Sequence, residues 1–332
     1  MPSSPATAAA TAALTQLRGL ALTFPWLLYL LLADILLSLL LPLKPLVPDL
    51  VHAASSRIAF TVWRWIQALF ERANGAHVAV SGDALPRRET AVVVANHVAW
   101  ADFYLVQALA VRAGMLGHCR WFAKRELRLV PFLGWGLWAM GMPMVSRRWA
   151  RDQAELDRVF RGIVRRRWPV WLIAFSEATR YTPAKAAASA RWCAAAGRPQ
   201  PRHLLYPRTK GFVATVRQLR RAPHVRAVYD LAIAYQCRGG SGGGWLAAPT
   251  MWETLSVPDL SAWRFHVHVR RFPIEDLPED EEGLARWLEA RWVEKGEWLE
   301  GKRREWAGEA EGGGEGEREH GLLAKAGEKS QA

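Results

Sequence analysis

The sequence predicts an α/β fold, a mixed sheet flanked by helices, with an N-terminal membrane-anchoring helical segment. Three observations support this prediction. Short β-rich runs alternate with helical patterns along the middle of the chain, as in α/β proteins. A long and nearly uncharged apolar stretch precedes them. With 332 residues, of which 51% are hydrophobic, the chain is long enough to bury a core, and this composition excludes a wholly disordered or collagen-like protein.

The first element is the apolar stretch at 19–43, which follows a polar N-terminal segment at 1–18 and contains a single charge, Asp34. About 20 apolar residues cross the hydrocarbon core of a bilayer, so this length suits a transmembrane helix. A cleaved signal peptide has a shorter apolar region and a small-residue cleavage site, which this sequence lacks. We therefore expect a retained anchor in which Asp34 faces another helix or lies near the interface, with a buried core helix as the alternative.

A second segment, 55–73, is amphipathic, because apolar residues recur at helical spacing with three arginines between them. Such a helix suits the membrane interface or a place beside the first helix. An ordinary helix packed on the globular core remains the alternative. Residues 19–75 are accordingly assigned to the membrane-anchoring helices.

The body of the chain, residues 76–274, is assigned to one α/β domain. The runs with alternating or continuous apolar character predict five strands, at 77–82, 91–95, 170–175, 228–236 and 265–272. Patterns with helical spacing lie between the first four of these strands, at 102–114, 151–166 and 210–219. Strands separated by helices are typical of an α/β sheet.

Charge is distributed unevenly along the chain, with a net charge of +21 over residues 1–274 and −9 over residues 275–320. We expect a C-terminal helical extension at 275–306 and a disordered Gly/Glu-rich tail at 307–332, since the tail contains no aromatic residue. The basic surplus leaves nucleic acid, an anionic membrane surface and a phosphorylated substrate as partners. Three distant cysteines exclude a disulfide scaffold and a CxxC zinc module, so we expect no metal site.

A histidine and a carboxylate follow the predicted strand at 91–95, as His97 and Asp102 of the stretch NHVAWAD. A carboxylate that accepts one ring N–H of a histidine leaves the other nitrogen free to take a proton. Five residues correspond to about 140° of rotation on a helix, so the two side chains meet only if the chain turns between them. We expect such a turn where the chain leaves the strand at 91–95, so the pair is a candidate general base.

Basic residues and hydroxyls gather in three later blocks: SRRWARD at 146–152, FSEATR at 175–180 and YPRTKGF at 206–212. Arginine binds phosphate in a bidentate manner, and helix N-termini favour anions, so such blocks at strand-to-helix turns suit a phosphorylated ligand. Each block alone is also compatible with a solvated charged surface.

Taken in order, NH-x4-D and these blocks resemble the motifs of the glycerolipid acyltransferases, the 1-acylglycerol-3-phosphate acyltransferase family. The resemblance covers residues 80–236, about half of the chain, and is greatest to the eukaryotic branch that includes lysocardiolipin and other lysophospholipid acyltransferases. It implies that His97 is the catalytic base and Asp102 its partner. It also implies six substrate-binding residues: Arg147, Glu177, Thr179, Arg180, Pro207 and Lys210. Where the family has Gly in its EGTR block, this chain has Ala178, whose fit depends on its backbone angles.

The resemblance implies transfer of an acyl chain from acyl-CoA, a co-substrate, to the free hydroxyl of lysophosphatidic acid, with no cofactor. Other acceptors remain open, namely lysocardiolipin, lysophosphatidylinositol or another lysophospholipid. A membrane scaffold that only binds anionic membrane lipid is the alternative from another functional class. A nucleic-acid partner is not expected, because no binding module is present.

Basic residues after the apolar stretch outnumber those before it, since Lys44, Arg57 and Arg64 follow it and only Arg18 precedes it. The positive-inside rule therefore places the body on the cytosolic side. The family branch implies the endoplasmic reticulum membrane. The Ala/Ser/Thr-rich start, which contains no acidic residue, leaves the outer mitochondrial membrane as the alternative.

Overall fold

A computed structural model of the protein describes residues 5–146, 149–238 and 244–328, without the side chains of residues 5, 8, 149–151 and 310–328. The predicted α/β fold is confirmed, with a mixed sheet between two layers of helices. The strands of the main sheet are β1 Val78–Gly82, β2 Thr90–Ala95, β3 Cys119–Trp121, β6 Trp171–Phe175, β7 Val225–Cys237, β8 Gly244–Trp245 and β9 Trp263–Pro273. Two short strands, β4 Ala123–Lys124 and β5 Met144–Val145, pair separately.

The strand order of the main sheet is β1-β9-β7-β2-β6-β3, and β8 pairs with the end of β7. Among the described pairs of this sheet, β7–β9 and β7–β8 are antiparallel, and the others are parallel. The five predicted strands correspond to β1, β2, β6, β7 and β9. The short strands β3, β4, β5 and β8 are too brief to produce a pattern in the sequence.

Nine α-helices are described around the sheet: α1 Pro5–Leu39, α2 Pro48–Ala68, α3 Asp102–Arg112, α4 Leu133–Ala139, α5 Trp149–Arg166, α6 Pro183–Ala195, α7 Thr209–Leu219, α8 Glu253–Ser256 and α9 Glu281–Glu328. The Ala-rich sequence before residue 19 has high helix propensity, so α1 includes most of the predicted polar segment. Helix α9 continues past the expected boundary at residue 306. The tail at 307–332 is predicted to be disordered. The structure does not describe the side chains of residues 310–328, nor residues 329–332, so this disorder stays a prediction.

Strand β2 divides the core into two layers. Ala91, Val93 and Ala95 belong to an apolar cluster formed with α2 and α3, whereas Val92 and Val94 belong to a second cluster formed with α5, α7 and α9. This alternation follows from the two-residue period of a strand. Because β2 is buried on both faces, its carboxyl end is held firmly from either side.

Helix α1 lies along the body of the domain. The Arg18 guanidinium donates to the carbonyl of Ala73 at 2.8 Å and to the side chain of Asn74 at 2.8 Å. Near the other end, Gly136 of α4 approaches so closely that a Cβ there would lie 2.4 Å from Asp34 Oδ1. Asp34 therefore faces another helix, one of the two positions expected for it.

The outer face of α1 is apolar and exposed. A window within Ala9–Leu43 has a mean hydropathy of 2.2 with only 17% of its residues buried, and the helix is long enough to cross a membrane. Its exposed large side chains are Leu14, Leu17, Leu20, Phe24, Leu27, Leu28, Leu31, Leu32, Leu36 and Leu39. Exposed apolar surface of this extent marks an interaction site.

Helix α2 packs on both α1 and the core. The Trp26 indole of α1 donates to the carbonyl of Val62 at 3.2 Å. On the other side, the buried Arg120 guanidinium donates to Ser56 Oγ at 2.9 Å and to the carbonyl of Met140 at 2.6 Å. The amphipathic pattern at 55–73 therefore reflects packing against the core as well as against the first helix.

Helix α9 attaches to the sheet through a buried ion pair. Lys295 Nζ lies 2.6 Å from Asp230 Oδ1 of β7, and the two side chains are 1% and 6% exposed. The Lys295 ammonium also lies 3.8 Å from the ring centroid of Trp292. Burial lowers the pKa of Lys295, and the charge of Asp230 acts against this shift.

We expect Lys295→Met to lower the free energy of unfolding by about 3–5 kcal/mol, because it leaves the Asp230 carboxylate buried and unpaired. The double variant Lys295→Met/Asp230→Leu should recover most of the loss, since no buried charge remains. Chemical denaturation of the purified chain measures both. Arg286→Met, at the exposed pair with Glu282, is the control and should leave stability almost unchanged. A double variant as unstable as the single one would contradict this account.

Candidate active site

The site begins where β2 ends. Asn96, fully buried, donates from Nδ2 to the carbonyl of Ile233 at 3.0 Å and accepts from the Ile233 N–H at 2.8 Å. This two-way bond joins the turn after β2 to the neighbouring strand β7. The chain then turns into α3, so that His97 and the first helical residue, Asp102, come together as the sequence predicts.

The Asp102 carboxylate is completely buried and accepts four hydrogen bonds. Its Oδ2 accepts from His97 Nδ1 at 2.7 Å and from the backbone N–H groups of Val98 at 2.7 Å and Ala99 at 3.1 Å. Its Oδ1 accepts from the Tyr235 hydroxyl at 2.6 Å. Burial raises the pKa of Tyr235, so the phenol stays protonated and remains a donor. The position at the start of α3 also places the negative charge at the positive end of the helix dipole.

These bonds determine which nitrogen of His97 is available for chemistry. An ionised carboxylate only accepts, so Nδ1 carries the hydrogen and Nε2 keeps its lone pair. The imidazole stacks on Phe175 with ring centroids 4.1 Å apart and an interplanar angle of 12°. The ring is therefore held in one orientation, and its side chain is 14% exposed. This is the arrangement of a general base.

His97 lines a cavity of about 290 Å³. Two basic residues that are not among the predicted site residues, Lys124 and Arg208, also line it, and Arg208 belongs to the YPRTKGF block. Lys124 comes from the β4–β5 pair, and Arg208 precedes α7, so both reach the cavity through tertiary contacts. The remaining lining residues are Phe103, Phe122, Ala123, Val145, Ala174, Phe175, Ser176, Ala178, Gly211 and Phe212. Mostly apolar walls with two cations suit a ligand that has both a chain and an anionic group.

The EATR block forms the turn after β6, and the residue that follows it is hydrogen-bonded to the His97 backbone. The Tyr181 N–H donates to the His97 carbonyl at 2.7 Å. Thr179 Oγ1 accepts from Lys185 Nζ at 2.7 Å, and the same ammonium donates to the Arg180 carbonyl at 3.1 Å. The Arg180 side chain itself is exposed. The backbone at the end of this block therefore contacts His97, while the side chain of Thr179 and the carbonyl of Arg180 are bonded to Lys185.

Glu177 is buried, with 3% exposure, unlike Thr179 and Arg180 of the same block. Burial raises the pKa of Glu177 to about 8, while the charge of Lys295 acts in the opposite direction. The glutamic acid is therefore mostly protonated at neutral pH. Its place in the interior suits a role in holding the turn or in donating a hydrogen bond.

The remaining predicted residues, Pro207, Lys210 and Arg147, do not lie together. Pro207 is buried, whereas Lys210 lies in a separate groove between α5, α7 and α9 that the His97 cavity does not include. Arg147 lies outside the described residues. The residue before it, Ser146, donates from both its N–H and its hydroxyl to Asp152 of α5, at 2.7 and 2.8 Å. Among the residues that the structure describes, no cluster of acidic, His or Cys side chains suits a metal ion.

Ala178 stands where the family has glycine, and its φ is +58°. This left-handed conformation costs about 1–2 kcal/mol for a residue with a Cβ. Whether alanine fits at this position depends on its backbone angles, and the angles observed favour glycine.

We expect Ala178→Gly to raise the free energy of unfolding by about 0.5–1 kcal/mol, because relief of the left-handed strain exceeds the entropy cost of glycine. Thermal or chemical denaturation measures the change. Ala187→Gly, on an exposed position of α6, makes the same substitution in helical backbone and should instead destabilise by about 1 kcal/mol. Destabilisation by both variants would contradict the assignment of strain to Ala178.

Comparison with known proteins identifies the family of the chain. The family model described as "Acyltransferase" matches residues 77–236, and that described as "Acyltransferase C-terminus" matches residues 261–301. The chain is 31% identical over 234 residues to "Probable 1-acyl-sn-glycerol-3-phosphate acyltransferase 5" of Arabidopsis thaliana, covering 70% of this chain and 59% of that protein. It is 32% identical over 259 residues to "1-acyl-sn-glycerol-3-phosphate acyltransferase delta" of Bos taurus, covering 76% and 65%.

The chain thus spans about three fifths of the length of the curated relatives that it matches. A solved structure, that of the 1-acyl-sn-glycerophosphate acyltransferase PlsC from Thermotoga maritima, matches with a TM-score of 0.46 and 18% identity. That match covers 80% of this chain and 96% of the other, and its low score adds nothing to the assignment. The two family models and the curated relatives show that the chain belongs to the glycerolipid acyltransferase family.

Proposed function

We propose that the protein is a membrane-bound acyltransferase that transfers an acyl chain from acyl-CoA to the free hydroxyl of lysophosphatidic acid, giving phosphatidic acid. The observation that carries this proposal is the oriented His97–Asp102 pair at the wall of a largely apolar cavity with basic residues. The names of the curated relatives support the choice of acceptor.

In the proposed reaction, His97 Nε2 removes the proton from the acceptor hydroxyl as its oxygen attacks the thioester carbonyl of acyl-CoA. The C–O bond forms, the tetrahedral intermediate expels the coenzyme A thiolate, and the C–S bond breaks. The imidazolium of His97 returns the proton to the departing sulfur. Asp102 stabilises the imidazolium and keeps Nε2 directed at the substrate, and Tyr235 holds Asp102 in place.

The acceptor phosphate would be bound by the basic residues around the cavity. Arg208 and Lys124 line it, and Thr179 and Arg180 lie on the turn attached to the His97 carbonyl. Arginine forms bidentate bonds to phosphate, and Lys124 adds a second positive charge. Arg147 joins this group on the sequence resemblance, together with Glu177, Pro207 and Lys210 as residues that shape or extend the site.

Membrane attachment is proposed through the exposed apolar face of α1. The basic residues of the body supply attraction to anionic lipid, each worth about 1 kcal/mol near the surface. We place the protein in the endoplasmic reticulum membrane with its body on the cytosolic side, and the outer mitochondrial membrane is the alternative. Other lysophospholipids are the alternative acceptors.

Replacing the base tests the mechanism. We expect His97→Ala to lower turnover by about 10²–10⁴-fold, because general base catalysis is lost, and Asp102→Asn to lower it as well. Transfer of labelled acyl chain from acyl-CoA to lysophosphatidic acid measures both. His77→Ala, at an exposed histidine, is the control and should remain active. Activity of His97→Ala near that of the unaltered protein, together with salt-sensitive lipid binding, would favour the scaffold alternative.

Replacing the cavity arginine tests acceptor binding. Arg208→Ala should raise the KM for lysophosphatidic acid about tenfold or more, because a charge-assisted bond to phosphate is lost. The KM for acyl-CoA should change less. Arg180→Ala should act in the same direction, while Arg191→Ala, on the exposed surface of α6, serves as the control. An unchanged acceptor KM in Arg208→Ala would remove that residue from the proposed site.

A further inference from the structure

A second exposed apolar surface lies outside α1 and α2. The segment between β4 and β5 exposes Leu129 by 84%, Val130 by 42%, Phe132 by 37% and Trp135 by 44%. We call residues 127–135 the apolar turn. The proposed chemistry uses none of these side chains. Water-exposed surfaces rarely carry large apolar residues in such a cluster unless something covers them.

The apolar turn is a folded structure with a fixed shape. The Gly134 N–H donates to the Val130 carbonyl at 2.9 Å, and a Cβ at Gly134 would lie 2.0 Å from the carbonyl oxygen of Leu127. Phe132 has a φ of +60°, which is strained for an aromatic residue. The backbone therefore holds the apolar side chains outwards at a conformational cost.

The apolar turn is continuous with the exposed face of α1. Helix α4, which includes Trp135, packs on α1 where Gly136 meets Asp34. Just beyond α1, Lys44 Nζ donates to the carbonyl of Ala139 at 2.8 Å. The neighbouring residues of α1, Leu36 and Leu39, are exposed. The two surfaces are thus adjacent, and whatever covers one is in a position to cover the other.

Charge indicates what covers the apolar turn. Lys124, Arg125 and Arg128 are exposed at its start, with Glu126 as the acidic residue among them. The Arg128 guanidinium lies 5.6 Å from the ring centroid of Trp138. Long basic side chains beside apolar ones extend to lipid phosphates while their neighbours enter the acyl region. This combination suits the surface of an anionic bilayer.

The segment that carries the apolar turn is also joined to the His97 cavity. Its two ends, Lys124 of β4 and Val145 of β5, are paired with each other and both line that cavity. The apolar turn therefore belongs to a segment whose two ends form part of the cavity wall.

We propose that the apolar turn inserts into the lipid bilayer beside α1 and brings the mouth of the His97 cavity to the membrane surface, so that a lysophospholipid acceptor enters without crossing water. This rests on the proposed function for the identity of the acceptor. The contact with lipid rests on the exposed residues, their fixed backbone, the basic side chains beside them and their continuity with α1.

Insertion is tested by depth-dependent quenching in the full chain. The variant Leu129→Cys is labelled with an NBD fluorophore, reconstituted into vesicles of phosphatidylcholine and phosphatidic acid, and quenched with doxyl-labelled phosphatidylcholine. We expect a blue-shifted emission and strong quenching at position 129. The control is Trp192→Cys, an exposed apolar position on α6 that should remain unquenched. Equal, weak quenching at both positions would overturn the proposal whether or not the protein is an acyltransferase.

Delivery is tested by comparing two acceptors. We expect Leu129→Asp/Phe132→Asp to lower acyl transfer to long-chain lysophosphatidic acid in vesicles by about tenfold or more, since two lipid contacts are lost. Transfer to a short-chain, water-soluble lysophosphatidic acid should be almost unchanged, and Trp192→Asp should affect neither. Full activity of the double variant on vesicles would overturn the proposed route. If the unaltered protein transfers no acyl chain, the proposed function fails, and the quenching experiment still decides insertion.

Discussion

A buried carboxylate is stable in a protein only when its charge is matched by hydrogen bonds, and the site depends on how Asp102 meets this requirement. Its four bonds come from His97, from the turn that follows β2 and from Tyr235 on β7. The imidazole orientation, the tightness of the turn and the register of β7 beside β2 are therefore linked. Loss of any one donor leaves the others to hold the same charge, so the position of Asp102 beside His97 is over-determined.

Strand β7 links this site to the C-terminal helix. Tyr235 bonds to Asp102, and Asp230, on the same strand, pairs with Lys295 of α9. The charge of Lys295 also acts on Glu177, in the turn beside His97. The region that matches the C-terminal family model thus completes the electrostatics of the site, although it contributes no residue to the lining of the cavity.

Most of the strands and the candidate base can be predicted from the sequence, because they depend on local patterns. Strand β2 is buried along its whole length, which appears in the sequence as a continuous apolar run. His97 and Asp102 are five residues apart across one turn, so their meeting depends on little else. The roles of Lys124 and Arg208 at the cavity could not be predicted, because they depend on the β4–β5 pair and on the position of α7. Helix α6 lacks an apolar period, since its sequence is mostly alanine, and the packing of α1 along the body depends on distant residues such as Asn74 and Gly136.

The position of β1 at the edge of the sheet has a consequence for synthesis of the chain. In the described part of the sheet, β1 pairs with β9 alone, and Arg18 bonds to the carbonyl of Ser256 as well as to Asn74. The β9 partner of β1 and the Ser256 partner of Arg18 lie more than 180 residues further along the chain, so the sheet closes only after the ribosome has produced nearly the whole domain. Helix α1 emerges long before α4 and α8, two of the helices on which it packs, have been made. During that interval the side of α1 that later contacts α4 and α8 has no partner there, so the order of synthesis keeps this apolar surface exposed until the domain closes over it.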